Sequence, residues 1–203
     1  PTSRGLGDVY KRQILNNLDL KLVKVIDTHI HADHISALNE LNKRTNCIRV
    51  MGEKSKSEVI DLRIKDGEKI KVEEVELQAI YTPGHTDCSY SFLMNDRVFT
   101  GDTLLINGSG RTDFQNGNAY DAYDSIFNKL LKLPEKTLVF PAHDYNGKKF
   151  STIENEKNNN PRLQVSSKEE YADIMNNLNL ANPKMMDVAV PANVKGLTLD
   201  NIN

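Results

Sequence analysis

The chain has no tryptophan, only two cysteines and just 6% aromatic residues. Cys47 and Cys88 are too few and too isolated for a disulfide framework, so the fold must rest on its core, which fits a reducing cytosol. Neither cysteine stands beside a histidine as a nucleophile would. Cys88 follows the His85 turn closely, and its plain reading is a small buried residue. Apolar runs are only a few residues long, far short of the ~20 that a membrane-crossing helix needs. Charge of one sign is also missing. With 27% charged residues and a net charge of −2, there is no basic surplus to neutralise phosphates, so nucleic acid is not an expected partner. The 203 residues suffice for one domain with a sizeable core, and no internal repeat or linker divides them.

The chain begins at Pro1, and the string PTSRGLGDVYKRQ shows no apolar periodicity. It resembles translated adapter sequence of the kind found at the ends of assembled environmental reads. The expectation is that residues 1–13 are not native, that N-terminal strands and any targeting signal are missing, and that residues 14–203 form a single domain.

Histidine is placed with purpose. All five histidines fall in three motifs, Thr28-His29-Ile30-His31-Ala32-Asp33-His34, Thr82-Pro83-Gly84-His85-Thr86-Asp87 and Pro141-Ala142-His143-Asp144-Tyr145. A fourth segment, Gly101-Asp102-Thr103, sets a carboxylate just after the apolar run Val98-Phe99-Thr100. One histidine alone could be a satisfied core residue. Five in turns punctuated by Gly and Pro supply, with the carboxylates, the nitrogen and oxygen donors that suit Zn, Fe or Mn.

Periodicity places these motifs after strands. Leu20–Ile26 reads as a strand ending at Asp27. Ile35, Leu38 and Leu41 predict a helix over 34–45 that begins inside the first motif. Cys47–Met51 is another short strand. After the Asp66-Gly67 turn signal, Ile70/Val72 and Val75/Leu77/Ala79/Tyr81 form two runs of period two, the second stopped by Pro83-Gly84. Ser89–Met94 and Arg97–Thr100 make a hairpin around Asn95-Asp96 that delivers Asp102. Tyr123, Ile126, Phe127 and Leu130 give a helical stripe ending before Pro134, and Thr137–Phe140 is a strand that delivers His143. Farther on, Ser166 with Glu169 predicts a helix cap, while Pro183 and Pro191 mark an irregular tail. A sheet edge carrying every ligand candidate is a rigid way to fix a metal cluster.

Taken in order, H-x-H-x-D-H, a glycine-histidine pair, an aspartate after a strand and a last histidine resemble the metallo-β-lactamase superfamily, over about Asp27 to His143. The resemblance implies an α+β fold, the four-layered αβ/βα sandwich, with the metal site at one edge of its sheets. The superfamily pattern puts His29, His31 and His85 around one metal and Asp33, His34 and His143 around a second, with Asp102 bridging. Flavodiiron members carry glutamate at the position of His31, and nucleases bring extra domains and basic surface, so both branches are disfavoured.

Two subfamilies remain. Gly110-Arg111-Thr112-Asp113-Phe114-Gln115, Pro141 to Tyr145, Ser151-Thr152-Ile153-Glu154, Asn160-Pro161-Arg162-Leu163 and Ala189-Val190-Pro191-Ala192-Asn193 look like the persulfide dioxygenases. Glyoxalase II enzymes usually have aromatic residues straight after that arginine and glutamate at the position of Asp144. The resemblance implies one Fe(II) per chain on His29, His85 and Asp102, two imidazoles and a carboxylate as in non-haem iron oxygenases. His31, Asp33, His34 and His143 then form an outer shell. The implied reaction, part of sulfide oxidation, takes glutathione persulfide and O2 to sulfite and glutathione. The alternative is a glyoxalase II-like hydrolase that binds two Zn and cleaves glutathione thioesters. Arg111 has two open roles, holding a substrate carboxylate or bracing its own loop by capping carbonyls or pairing with Asp113. Tyr145 has two readings, a donor into the substrate pocket or a plain packing residue, and Arg162 reads as structural. No membrane association is expected, the expected location is the cytoplasm, and a homodimer stays open.

Overall fold

Period-two runs bounded by turn residues fold as strands because alternate side chains must reach a core while the backbone groups pair sideways. In the computed structural model, which describes residues 13–144, 146–198 and 201, these runs make two sheets. Described residues within Pro1–Met51, Ser55–Arg63 and Ala181–Asn203 form one compact unit, and those within Gly52–Lys54 and Ile64–Leu180 form another. The segment expected to be foreign, residues 1–13, lies outside the described residues except for Gln13.

A three-stranded sheet contains β1 (Lys24–Ile26), β2 (Ile48–Gly52) and β3 (Leu62–Ile64), in that order. β1 and β2 are parallel, with Lys24 opposite Ile48 and Ile26 opposite Val50. The connection between them is helix α1, Leu38–Thr45. That helix starts four residues later than the apolar spacing suggested, because Ser36 is engaged elsewhere. Ser36 N donates to Asn193 Oδ1 at 2.8 Å and Ser36 Oγ donates to Asp27 Oδ2 at 2.5 Å. β3 was missed in the sequence, although Ile60, Leu62 and Ile64 alternate there with Asp61, Arg63 and Lys65.

On β2, Arg49 holds Asp61 through Nε and Nη2 at 2.9 and 2.8 Å, and its backbone N–H adds a third bond at 2.9 Å. The guanidinium and this N–H pull the Asp61 carboxyl down to about 2. A depressed carboxylate stabilises the fold above its ordinary pKa, and the contribution disappears as pH falls from about 4 towards 2. The pair is well solvated, so the effect is small, under about 1 kcal/mol. Asp61→Ala should therefore lower the urea midpoint slightly at pH 6 and by clearly less near pH 2, where the carboxyl is partly protonated. A difference undiminished at pH 2 would mean that the clasp is not the source.

The six-stranded sheet runs β11-β10-β7-β6-β5-β4, with β4 at Lys69–Val72, β5 at Val75–Tyr81, β6 at Tyr90–Leu93, β7 at Arg97–Gly101, β10 at Leu138–Pro141 and β11 at Ser151–Thr152. Between them, β8 (Leu104–Leu105) and β9 (Gly108–Ser109) make a small hairpin. β5 to β6 and β6 to β7 are antiparallel steps, and β7 to β10 is parallel. Strands β5, β7 and β10 therefore point the same way. Their C-terminal ends share one edge, where the chain next delivers His85, Asp102 and His143. Val98, Ile126, Leu130, Val139, Ile153 and Tyr171 are fully buried together at the centre of this unit's core. Covering that core removes most of the apolar surface that drives the unit to fold.

The stripe from Tyr123 to Leu130 is helical in three pieces, α2 (Ala119–Tyr123), a π-helical turn (Asp124–Lys129) and a 3-10 turn (Leu130–Lys132). Asn118 caps α2 by accepting from Tyr120 N and Asp121 N at 2.8 and 3.1 Å. Helix α3 spans Ile153–Asn159 and α4 spans Lys168–Asn176. The cap of α4 is Ser167, not Ser166. Ser167 Oγ accepts from Glu170 N at 3.1 Å, and Glu170 reaches back to Ser166 N at 2.6 Å, so the reciprocal cap is shifted by one residue. The tail is irregular around Pro183, as expected, but not beyond Met185. Met186–Lys195 is helix α5, with Pro191 inside it and Gly196 closing it at φ 68°. The missing Pro N–H forgoes one bond, but buried Ala189 and Ala192 seat the helix, and Leu197 N bonds Ala192 O at 2.8 Å across the glycine.

Candidate metal centre

In the first unit, the loop after β1 carries His29, His31, Asp33 and His34. His29 is 2% exposed, and its Nδ1 lies 2.9 Å from Thr28 Oγ1. With the hydroxyl accepting from Nδ1, Nε2 keeps its lone pair for a metal. The rings of His29 and His31 are 4.4 Å apart and those of His31 and His34 are 4.3 Å apart. His34 Nδ1 meets Asp33 Oδ1 at 2.9 Å, and His31 Nε2 is 3.9 Å from Asp27 Oδ1. His31, Asp33 and His34 each offer a ligand atom within 4.8 Å of the others. This crowding of imidazoles and carboxylates suits a metal or its outer shell and serves little purpose in a plain core.

In the second unit, the strand ends gather the remaining donors. Asp102 lies between two histidines, with Oδ2 3.7 Å from His85 Nε2 and Oδ1 2.6 Å from His143 Nδ1. A carboxylate can only accept, so His143 Nδ1 carries the proton of that bond. His85 Nδ1 is 2.8 Å from the Arg111 carbonyl. The carbonyl also only accepts, so Nδ1 is the donor and the neutral ring presents Nε2 towards Asp102. Two glycines permit this. Any side chain at Gly110 would strike the Asp102 carbonyl at 1.9 Å and His85 Nδ1 at 3.0 Å, and Gly84 takes φ 140° with the Ala122 backbone against its open side. Ser125 Oγ donates to the Pro83 carbonyl at 2.6 Å and holds the turn that presents His85.

Arg111 contributes its backbone. Its guanidinium forms a bidentate pair with Asp113 at 2.6 Å through both Nε and Nη2, bonds the Leu180 carbonyl at 3.1 Å and lies 4.7 Å over the Phe114 ring. Phe114 in turn meets the His85 ring edge-on at 6.0 Å. Of the two roles left open, the loop brace is the one this geometry displays, and only the resemblance carries the substrate role. Arg162 donates to the Ser109 carbonyl, as a structural residue would. Tyr145 lies outside the described residues. Both cysteines are buried and neither is in a disulfide, and Cys88 Sγ is 3.4 Å from Thr86 Oγ1.

Sequence reasoning missed Thr28, Gly110 and Asn193 as parts of this centre. Thr28 could have been found, because a hydroxyl beside a ligand histidine is a recurrent brace. Asn193 stood in a segment that carries the family resemblance, but nothing local showed its role, since its partners lie 157 to 162 residues away.

A family model of the metallo-β-lactamase superfamily matches residues 5–143, and the chain belongs to that superfamily. Its fold is correspondingly the superfamily's α+β fold. Within the superfamily the chain falls with persulfide dioxygenases. It is 43% identical to "Persulfide dioxygenase ETHE1, mitochondrial" of Mus musculus, over 90% of this chain and 72% of that protein. The crystal structure of ETHE1 from Myxococcus xanthus superposes with a TM-score of 0.91 at 46% identity, covering 94% of this chain and 84% of that one. Hydroxyacylglutathione hydrolase of Dictyostelium discoideum is more distant, 32% identical over 70% of this chain and 56% of its own length. The mouse protein's name places that protein in mitochondria, so the cytoplasmic expectation gains no support from it. No helix among the described residues is long and apolar enough to cross a membrane.

Proposed function

We propose that this chain oxidises glutathione persulfide with O2, using one Fe(II) held by His29, His85 and Asp102. The donor set fits the ion. Partners at Nδ1 leave the Nε2 atoms of His29 and His85 for a metal, and Asp102 adds a hard oxygen, Oδ2, 3.7 Å from His85 Nε2. Bound there, iron would supply a redox centre with open coordination positions for sulfur and dioxygen.

The chain's own residues do the rest. His143 donates to Asp102 Oδ1 at 2.6 Å, holding one carboxylate oxygen and leaving the other to face His85. Arg111 fixes the His85 ring through its carbonyl, and Phe114 packs the ring edge. These contacts preset the ligand geometry before metal arrives. The observation that carries the one-metal reading is the direct Asp102 to His143 hydrogen bond, which makes His143 a partner of the ligand. The net reaction consumes one persulfide, one O2 and one water, and gives thiol, sulfite and two protons. Glutathione as the thiol carrier and a homodimeric assembly belong to the same proposal on the strength of the resemblance.

A second reading is a two-zinc hydrolase of glutathione thioesters. The grouping of His31, Asp33 and His34 within 4.8 Å favours it, as three further donors stand ready for a second ion. Oxygen separates the two. Purified protein supplied with glutathione persulfide should consume O2 and form sulfite in equal amounts under air, and form none under argon. Equal sulfite without oxygen would sink the dioxygenase reading, and turnover of a thioester by the zinc-loaded protein would establish the hydrolase.

A further inference from the structure

The loop that bears His31, Asp33 and His34 is neither strand nor helix. One side chain binds its backbone at three points. Asn193 Nδ2 donates to the His31 and His34 carbonyls, both at 2.9 Å, and Asn193 Oδ1 accepts from Ser36 N at 2.8 Å. Two donors and an acceptor in one plane are what a primary amide offers. Aspartate lacks the donors, and glutamine adds a methylene that the helix would have to accommodate.

The helix carrying Asn193 is itself tied down. Ser57 Oγ donates to the Asn193 carbonyl at 3.2 Å, Glu58 N donates to the Val194 carbonyl at 2.8 Å, and Asn39 Nδ2 reaches the Gly196 carbonyl. Helix α5 is thus a fixed post, and the amide transmits its position to the motif loop. A small cavity of about 20 Å³, bounded in part by Asp27, His29, His31, Ser36 and Asn193, adjoins the clasp. It has room for one water molecule at most, so the loop cannot find a second set of partners without moving.

We propose that Asn193 is a positioning residue for the metal centre. It fixes the carbonyls of His31 and His34 and, through them, the directions of those rings and of Asp33. The inference rests on the metal-centre reading above but is independent of which metal is native and of what substrate is turned over.

The test uses the full chain and Co(II) alone as the probe. Asn193→Asp keeps the shape and the acceptor while setting a carboxylate against two carbonyls, and Asn193→Ala removes the clasp. Both should bind Co(II) about 10 to 100-fold more weakly, with a shifted visible absorption of the bound ion and an unchanged far-ultraviolet dichroism. Lys195→Ala, an exposed change on the same helix, should bind Co(II) as the wild type does. Folded Asn193 variants with wild-type affinity and spectrum would overturn the proposal. A second measurement needs no variant. In metal-free wild-type protein the Ser36 amide should be protected from hydrogen exchange, and exchange at the rate of an open chain would equally overturn it. Absence of oxygen uptake with the Co(II) effects intact would defeat the dioxygenase reading alone, whereas a wild-type chain that takes up no Co(II) would remove the metal centre and this clasp's role together.

Discussion

Replacing Asp102 by Ala should leave a folded chain without bound iron and lower persulfide oxidation by at least ~10³-fold, since a catalytic metal is worth several kcal/mol to its reaction. Asp102 lies between His85 and His143, so its removal takes away one proposed ligand and the partner of His143. His143→Ala is the informative companion. If His143 only holds the ligand, iron should stay largely in place and activity should fall ~10 to 100-fold. If instead two ions share Asp102, His143→Ala should release about half of the metal, as a second site loses a ligand. Metal content per chain for the two variants, with dichroism to confirm folding, distinguishes these outcomes.

The largest expected effect on stability lies away from the ligands. Glu156 is fully buried and accepts from Ser151 Oγ at 2.5 Å, Asn155 Nδ2 at 3.1 Å, Asn160 Nδ2 at 2.8 Å and the Asn107 backbone N–H at 2.8 Å. Asn160 also donates to the Gly108 carbonyl at 2.9 Å. This network joins α3 to the segment 107–109 that leads into Gly110 and Arg111. Glu156→Ala would leave several buried donors without a partner, each costing about 1 to 3 kcal/mol when water cannot replace the lost acceptor. A total loss of about 3 to 5 kcal/mol is expected, read as a drop of roughly 10 °C in melting temperature for a chain of this length. Glu156→Gln, which keeps the volume and one acceptor, should lose less. A loss under about 1 kcal/mol for Glu156→Ala would mean that water enters and serves the donors.

Much of the site was legible in the sequence, because a ligand motif is local. His29, His31, Asp33 and His34 are separated by one or two residues, and each of His29, His85, Asp102 and His143 follows its strand within four residues. The apolar alternation that reveals a strand therefore also reveals where its ligand emerges. The elements least well read were those whose limits are set from a distance. The helix expected from His34 starts at Leu38 because Ser36 is bound to Asp27 and Asn193. From Met186 on, the tail that two prolines marked as irregular is a helix because Ala189 and Ala192 are buried and Gly196 closes it. The cap at Ser167 differs from the expected Ser166 by a single residue, a choice between two serines that local pattern does not decide.

The amino-acid sequence alone determined the inventory of candidate ligands, the order of strands that carry them and the superfamily, since each depends on residue types at short, fixed spacings. Tertiary structure decided the partners. It engaged the Arg111 guanidinium with Asp113 and Leu180, 2 and 69 residues away, and gave the Arg111 carbonyl to His85, 26 residues away. It joined His143 to Asp102 across 41 residues and Asn193 to His31 across 162. A hydrogen bond between distant segments forms only after the core has brought the two chains together, and its cost in loop closure grows too slowly with separation to leave a mark on local composition. The chemistry of this protein is therefore written in its motifs, and the aim of that chemistry is set by contacts that exist only once the chain is folded.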